Sequence, residues 1–194
     1  GYQGRAYRAF KFEATAITHR KDRPIFDAPI SKPWDHAVCA KFREAYFVWL
    51  ANTIRPGFVV DATMLYSIPI WSGIVLQFRK TWRRDEGFQR NILAACLALS
   101  QGLRIAIGVD EDVNIYSADD ILWALATRVD WSRDVFLGGG GRGQVLQPAE
   151  RAIGVVTGRE TGAETYFAGG IGIDATVPFE EKWRIQRIHH AVET

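Results

Sequence analysis

The sequence of residues 103–128, LRIAIGVDEDVNIYSADDILWALATR, decides the fold class of this chain. Residues 103–109 form a short, mostly apolar run of the kind that fills a central strand buried on both faces. The acidic triplet 110–112 ends this strand with a turn. Ser117, with an acidic residue three positions later, resembles a capping box, which predicts a helix over residues 118–128. Three apolar residues form the expected core stripe of that helix: Ile121, Leu122 and Leu125.

The segments before this unit continue the same alternation of strand and helix. Residues 58–62 and 73–78 have the composition of strands, and residues 86–99 have that of a helix. Asp85 is placed to cap this helix, and Gly102 is placed to receive its C-terminal turn. This order with short connections predicts an α/β fold, a layered sandwich with a mixed sheet and flanking helices.

A further helix is predicted over residues 37–53, ending before Pro56 and Gly57. It is apolar nearly all round, so we expect it to be buried or to lie in an interface. Residues 12–18 alternate apolar and polar positions and predict a half-buried strand. The prolines of the following segment mark a linker and the one internal boundary.

Composition excludes several classes of protein. The chain has 194 residues, of which 47% are hydrophobic and 24% charged, as in an ordinary globular domain. A net charge of +2 is too small to indicate a nucleic-acid partner, and no apolar run approaches the roughly 18 residues of a membrane span. Cys39 and Cys96 lie in apolar runs and predict small core residues rather than disulfides, so we expect a cytoplasmic location.

Two segments suggest ligand sites, each with a plainer alternative. Residues 138–143, GGGGRG, have glycines and an arginine that could bind a phosphate, but they lack the Gly-Lys-Ser/Thr ending, and a mobile loop is the better interpretation. Acidic residues 110–112 with Asn114 could bind a hard cation, but the turn glycine and distal acid of a calcium loop are absent. A solvated turn between strand and helix is the better interpretation there.

No complete catalytic constellation is found in the sequence. The four histidines lack metal-site spacing, and neither cysteine has a recognisable partner for nucleophilic work. A basic cluster, Arg79, Lys80, Arg83 and Arg84, surrounds Trp82 and fits a solvated face. The alternative is that Lys80 or Arg79 faces an anionic cofactor.

Four segments together resemble the UbiD family of decarboxylases. They are residues 105–116, residues 119–130 (DDILWALATRVD), residues 16–22 (AITHRKD) and residues 172–176 (GIDAT). The second is similar to the family's Asp-Val-x-Trp-Ala-x-x-Thr-Arg helix, and the last to its Gly-x-Asp-Ala-Thr motif. The likeness extends from residue 1 to about residue 179.

The resemblance implies reversible decarboxylation of an aromatic or α,β-unsaturated acid with prenylated FMN, a divalent metal (Mn²⁺ or Mg²⁺) and K⁺. Gly1-Tyr2 matches the Gly-Tyr that follows the family's catalytic acid, which places that acid three positions before Gly1. The other catalytic, cofactor and metal residues lie further upstream. We therefore expect no catalytic or metal residue in this chain, and cofactor and metal bound mainly by an upstream portion or partner subunit.

By position, residues 64–71 match a stretch near the family's active site, and they make Tyr66, Ile68 and Trp71 candidates for the substrate pocket. The plainer alternative is that Tyr66 and Trp71 pack on the sheet. Lys80 is the candidate for contact with the cofactor. Two features depart from the family: the glycine run at 138–143, expected to leave a roomier lid, and Trp131 in place of the usual proline.

The resemblance also implies a domain division. Residues 1–36 would end the central flavin-binding domain, with the strand at 12–18 belonging to an upstream split-barrel-like domain. Residues 37–165 would be the α/β assembly domain, through which copies self-associate, and residues 166–194 a tail that packs back. A C-terminal subunit or fragment of a decarboxylase, inactive in isolation, is the first hypothesis. The alternative is a non-catalytic oligomerisation or regulatory module derived from the family.

Overall fold

A mixed β-sheet forms the middle layer of the fold. The computed structural model describes residues 11–23, 37–66, 68, 72–100, 102–142, 151–152 and 166–185. The strands are β1 (Val59–Met64), β2 (Gly73–Phe78), β3 (Ile105–Asp110), β4 (Val135–Arg142), β5 (Arg151–Ala152) and β6 (Tyr166–Ala175). The helices are α1 (Ala37–Ile54), α2 (Phe88–Leu99) and α3 (Ala118–Arg128), with short 3-10 turns at Arg83–Asp85 and Phe179–Glu181.

The strand order is β1-β2-β3-β6-β4, and β5 pairs with β6 off this path. Strands β2, β3 and β6 are parallel, whereas β1 and β4 run antiparallel to their neighbours. In the register, Phe78 pairs with Asp110, and Val109 pairs with Ala175. The carboxyl ends of the three parallel strands therefore meet at one edge of the sheet, where ligands of open α/β sheets commonly bind.

Helices cover both faces of the sheet. Buried side chains of α1 and α2, such as Phe47 and Ile92, share a core with Ile74, Leu76 and Phe78 of β2. Ile121 and Ala124 of α3 belong to a second core on the opposite face, with Val75 and Ile107. Alternate residues of β2 thus enter opposite cores, because successive side chains of a strand point to opposite faces. The layered α/β sandwich with a mixed sheet is confirmed.

The quoted segment folds much as predicted, with three corrections in and around it. The Ser117 side chain accepts the backbone N–H of Asp120 and caps α3. Leu122 is exposed rather than part of the core stripe, which leaves Ile121 and Ala124 as the buried residues of α3. Asp85 does not cap α2, since Gly87 occupies that position. Gly102 takes no left-handed conformation in the described chain, because α2 ends at Ser100 in an extended one.

The glycine run is the largest departure from the sequence prediction. Residues 138–142, expected in a mobile loop, lie in β4 and pair with β6, with an irregularity between Gly138 and Gly141. A Cβ added to Gly138 would lie 3.0 Å from the Leu97 side chain of α2. Glycine is therefore used there because strand and helix approach closely. Neither the phosphate loop nor the roomier lid fits a paired strand.

Residues 11–23 contain no helix or strand, and Phe12 and Ile17 are exposed. The strand predicted over 12–18 has no pairing partner in the described chain, and its membership of an upstream domain stays a prediction. The boundary predicted at residue 165 likewise stays a prediction, and the residues just after it form β6 inside the sheet. No helix among the described residues is long and apolar enough to span a membrane.

Candidate functional site

A buried ionic network lies at the carboxyl ends of the parallel strands, and Lys80 is at its centre. Only 3% of Lys80 is exposed. Its ammonium donates to Val177 O at 2.6 Å, to Thr176 Oγ1 at 2.9 Å and to Glu86 Oε1 at 3.2 Å. These contacts tie the chain after β6 to the start of α2, which is a structural role. They do not test whether Lys80 also meets a cofactor, so that stays a prediction.

The Gly-x-Asp-Ala-Thr segment is part of the same network. Asp174 Oδ1 accepts from the backbone N and the Oγ1 of Thr176, at 3.1 and 2.6 Å, and its Oδ2 accepts from Gln89 Nε2 at 3.0 Å. The aspartate thus closes a local turn and joins β6 to α2. Gly172 packs under the Phe136 ring of β4, where an added Cβ would overlap the ring. In this chain the contacts of the motif hold β6 against α2 and β4, which is a structural role.

The acidic turn after β3 is only partly solvated, because Asp110 is buried and bonded to Arg128 whereas Glu111 is exposed. Arg128, whose side chain is buried, donates to Asp110 Oδ2 at 3.3 Å and to Asp112 Oδ1 at 2.9 Å, and Arg79 pairs with Glu111 at 2.7 Å. Burial is the main cause that raises the pKa of Asp110, against the opposing hydrogen bond from Val177 N at 2.6 Å. Among the residues that the structure describes, no three His, Cys, Asp or Glu side chains group to hold a metal.

A second polar cluster surrounds Tyr66, just after β1. The Tyr66 hydroxyl donates to Glu44 Oε1 at 3.1 Å, and the same oxygen accepts the Met64 N–H at 2.9 Å. Glu44 Oε2 accepts from Lys41 Nζ at 2.7 Å. Burial raises the pKa of Tyr66, the charge of Glu44 raises it further, and Lys41 lowers it.

Tyr116 completes this cluster from the loop between β3 and α3. The Lys41 ammonium lies 5.7 Å from the centre of the Tyr66 ring and 5.8 Å from that of Tyr116. The Tyr116 hydroxyl donates to Asp61 Oδ2 of β1 at 2.7 Å, which is the main cause of its raised pKa. Two phenols, each bonded to a carboxylate, therefore flank one ammonium, a geometry that favours cation–π attraction.

Of the two remaining pocket candidates, the structure describes Ile68. Ile68 lies beside Gly73, where an added Cβ would come within 2.7 Å of the Ile68 side chain. Ile68, two residues after Tyr66 in the chain, therefore packs against the start of β2. Trp71 lies outside the described residues, as do Gly1 and Tyr2. The structure thus places Tyr66 and Ile68 near the same strand ends and leaves the third candidate as a prediction.

Sequence reasoning missed Glu44, Lys41 and Tyr116. One signal was present: Lys41 and Glu44 are three residues apart on a helix otherwise rich in apolar residues, a spacing that allows an ion pair. Their partners Met64 and Tyr66 are about twenty residues away in sequence, and only the packing of α1 on β1 brings them together.

The sequence matches a known protein family. The pattern of the 3-octaprenyl-4-hydroxybenzoate carboxy-lyase C-terminal domain, the UbiD C-terminal domain, matches residues 37–175. The chain belongs to the UbiD family. The match covers the cluster around Tyr66, most of the Lys80 network and the three described helices. The segment at 105–130 and all but the last residue of the segment at 172–176 lie within it.

Among relatives, gallate decarboxylase of Lactiplantibacillus plantarum is 32% identical over 195 residues, which cover 96% of this chain and 38% of that protein. The chain thus spans less than half the length of this relative, and it corresponds to the C-terminal portion of the family.

Solved structures agree in fold. Apo 3,4-dihydroxybenzoic acid decarboxylase of Klebsiella pneumoniae superposes with a TM-score of 0.69 at 28% identity, over 82% of this chain and 32% of that one. A UbiD-class enzyme of Pelotomaculum thermopropionicum, solved in complex with FMN, gives a TM-score of 0.64 at 24% identity, over 81% of this chain and 32% of that one. The second likeness concerns the fold alone.

Proposed function

We propose that this chain is the C-terminal part of a prenylated-FMN-dependent (de)carboxylase acting on an aromatic or α,β-unsaturated carboxylic acid. The observation that carries the proposal is the 32% identity to gallate decarboxylase across nearly the whole chain. The family match over residues 37–175 supports the same reaction class. In this proposal the catalytic acid is supplied by an upstream portion or a partner chain, and the isolated chain is inactive.

The described side chains offer no group that fits a metal ion, and Lys80 stays the candidate for contact with the flavin. No group of three metal-ligating side chains is found among the described residues. Lys80 is bonded to Glu86 and Val177, and Arg128 is bonded to Asp112 while its Nε has no hydrogen-bond partner. As the family resemblance implies, we assign the prenylated FMN, the Mn²⁺ or Mg²⁺ and the K⁺ mainly to the upstream portion.

What this chain supplies is one wall of the substrate pocket and a rigid support behind it. Tyr66 and Ile68, with Trp71, would present a largely apolar surface to a flat acid, as ligand pockets commonly do. Tyr66 is tied to α1 through Glu44, and Ile68 rests on the start of β2. Held in this way, the wall can orient a planar ring and exclude water from it.

The experiment is reconstitution. Native and then denaturing mass spectrometry of the particle purified from its source is expected to show a companion polypeptide and a prenylated flavin. The assembled particle is expected to release CO₂ from an aromatic or unsaturated acid, and the 194-residue chain alone is not. A particle that contains both components but neither releases nor exchanges CO₂ would contradict the proposal. The proposal also includes a cytoplasmic location, which is in keeping with two cysteines that form no disulfide.

A second candidate function is a non-catalytic oligomerisation or regulatory module. One observation favours it: four apolar residues form an exposed stripe along α1, namely Val38, Phe42, Tyr46 and Trp49. A stripe of this kind is typical of a helix that packs on another protein surface. Self-association of the chain through this stripe is compatible with either function.

Charge substitution in the stripe tests this candidate. The double variant Phe42→Glu, Trp49→Glu is expected to lower the native mass of the assembly, whereas Leu122→Glu, at an exposed leucine of α3, is not. A stable homo-oligomer from the native source with no companion chain and no flavin would favour the non-catalytic module. A chain that is monomeric at all concentrations would contradict it.

A further inference from the structure

Glu44 is a buried carboxylate in the middle of an otherwise mostly apolar helix. Only 6% of it is exposed, and both of its oxygens are engaged. Oε1 accepts the Met64 N–H at 2.9 Å and the Tyr66 hydroxyl at 3.1 Å, while Oε2 accepts from Lys41 at 2.7 Å. Burying a carboxylate is costly unless charged or hydrogen-bonding partners compensate. The compensation here comes from the end of β1 and the turn after it, so the charge fixes that segment.

These contacts restrict the Tyr66 side chain in particular. A phenol has few rotatable bonds, so fixing its hydroxyl oxygen fixes the direction in which the side chain points. Lys41 lies over that ring at 5.7 Å, and Thr63 of β1 lies 3.5 Å from the same Glu44 oxygen. The orientation of Tyr66 is therefore set before any ligand arrives, and an ordered side chain loses less freedom on binding.

We propose that Glu44 is a positioning residue of the substrate pocket, which holds Tyr66 in the orientation in which its ring meets the substrate. The inference rests on the function proposed above, because that function makes Tyr66 part of the pocket. Glu44 acts through Tyr66 and does not touch the reacting atoms. Its loss is therefore expected to weaken substrate binding and to leave the chemical step nearly unchanged.

The first test measures the bond itself on the full chain. The phenolate absorbance of Tyr66 is obtained as the difference between the chain and its Tyr66→Phe variant. In Glu44→Gln, Tyr66 is expected to ionise at lower pH, because a negative charge that opposes the phenolate has been removed while Lys41 remains. Glu111→Gln is the matched control, since it removes an exposed carboxylate paired with Arg79 far from Tyr66. An unchanged Tyr66 titration in Glu44→Gln overturns the inference, whatever the reaction of the assembly.

The second test uses the assembled decarboxylase. Glu44→Gln is expected to raise KM about tenfold and to change kcat by less than about twofold, the pattern of lost binding rather than lost chemistry. An equal fall in kcat and in kcat/KM, or an unchanged KM, overturns the inference. If the unmodified assembly is inactive, the proposed function itself has failed, and the inference falls with it. The two failures are distinguished because the titration needs no activity.

A third variant keeps the test decisive if Glu44→Gln does not fold, as judged by circular dichroism. Tyr66→Phe removes the same hydrogen bond at its other end and keeps the ring. We expect it to raise KM in the same way, with a native dichroism spectrum. A Tyr66→Phe assembly with unchanged KM overturns the inference.

Discussion

The guanidinium of Arg55 donates two hydrogen bonds to one carboxylate oxygen of Asp85, at 3.1 and 2.6 Å, across a sequence separation of 30 residues. Arg55 follows the end of α1, and Asp85 ends the 3-10 turn before α2. The other Asp85 oxygen accepts the backbone N–H groups of Thr81 and Trp82. One side chain, expected from the sequence to cap a helix, thus joins the end of α1 to the 3-10 turn before α2.

Acid is expected to weaken this junction. Burial opposes ionisation of Asp85, but the bonds from Arg55, Trp82 and Thr81 outweigh it and lower its pKa from 3.8 to about 2. Because the folded pKa lies below the unfolded one, the stabilisation is complete above about pH 4 and is lost as pH falls towards 2. It amounts to at most about 2 kcal/mol, reduced by solvent screening at the partly exposed Arg55. Urea unfolding against pH should show this loss in the chain and not in Asp85→Asn.

Packing at Gly172 gives a second prediction. An added Cβ would overlap the Phe136 ring, so Gly172→Ala is expected to destabilise the fold by about 1–3 kcal/mol. Gly169 in the same strand is the matched control, since its nearest neighbour would be 3.7 Å away. Thermal denaturation of both variants is the measurement. Equal melting temperatures would contradict the close contact between β4 and β6.

Removal of Arg128 is expected to be costly. Arg128→Met leaves Asp110 buried without one of its cationic partners, and breaking a buried pair typically costs about 3–5 kcal/mol. Arg79→Met, which breaks the more exposed pair with Glu111, is expected to cost about 0–1 kcal/mol. Urea midpoints of the two variants test the difference. Similar midpoints would mean that the acidic turn is solvated, as the sequence suggested.

The two cysteines are expected to differ in reactivity. Cys39 is exposed, whereas Cys96 is buried in the core and burial raises its pKa to about 12. A thiolate is the reactive form, so Cys96 should stay unmodified in the folded chain. A colourimetric thiol reagent is expected to find one thiol in native protein and two after denaturation. Loss of the fast reaction in Cys39→Ser identifies the site, and rapid modification of both thiols would contradict the burial.

Local sequence signals predicted some elements closely. The bounds of β2 and α3 were expected at 73–78 and 118–128, where the structure has them. An apolar run bounded by turns predicts β2, and a serine cap predicts α3. Each of these signals lies within a few neighbouring residues of the sequence. Such local signals did not predict the burial of Cys39. A helix that is apolar nearly all round does not indicate which of its sides faces solvent. Cys39 was expected in the core and is exposed.

The elements that the sequence missed depend on distant partners. Strand β6 and the end of β4 are rich in glycine, which disfavours strands. Gly172 is explained by the Phe136 ring of β4, and Gly138 and Gly170 are explained by the Leu97 side chain of α2. The cluster around Tyr66 depends in the same way on Glu44, 22 residues earlier. The family resemblance directed attention to Tyr66, but only the structure connects it to α1.

The hydrogen bond between Glu44 and the Met64 N–H has a consequence for aggregation. Among the strands that the structure describes, β1 lies at an edge of the sheet, and an unpaired donor on an edge strand invites a strand from another molecule. Here that donor is occupied by a carboxylate from the covering helix at 2.9 Å. An incoming strand would have to displace a charged acceptor and expose a buried acid. The same side chain that orders the turn after β1 therefore also occupies a backbone donor to which an incoming strand would bond.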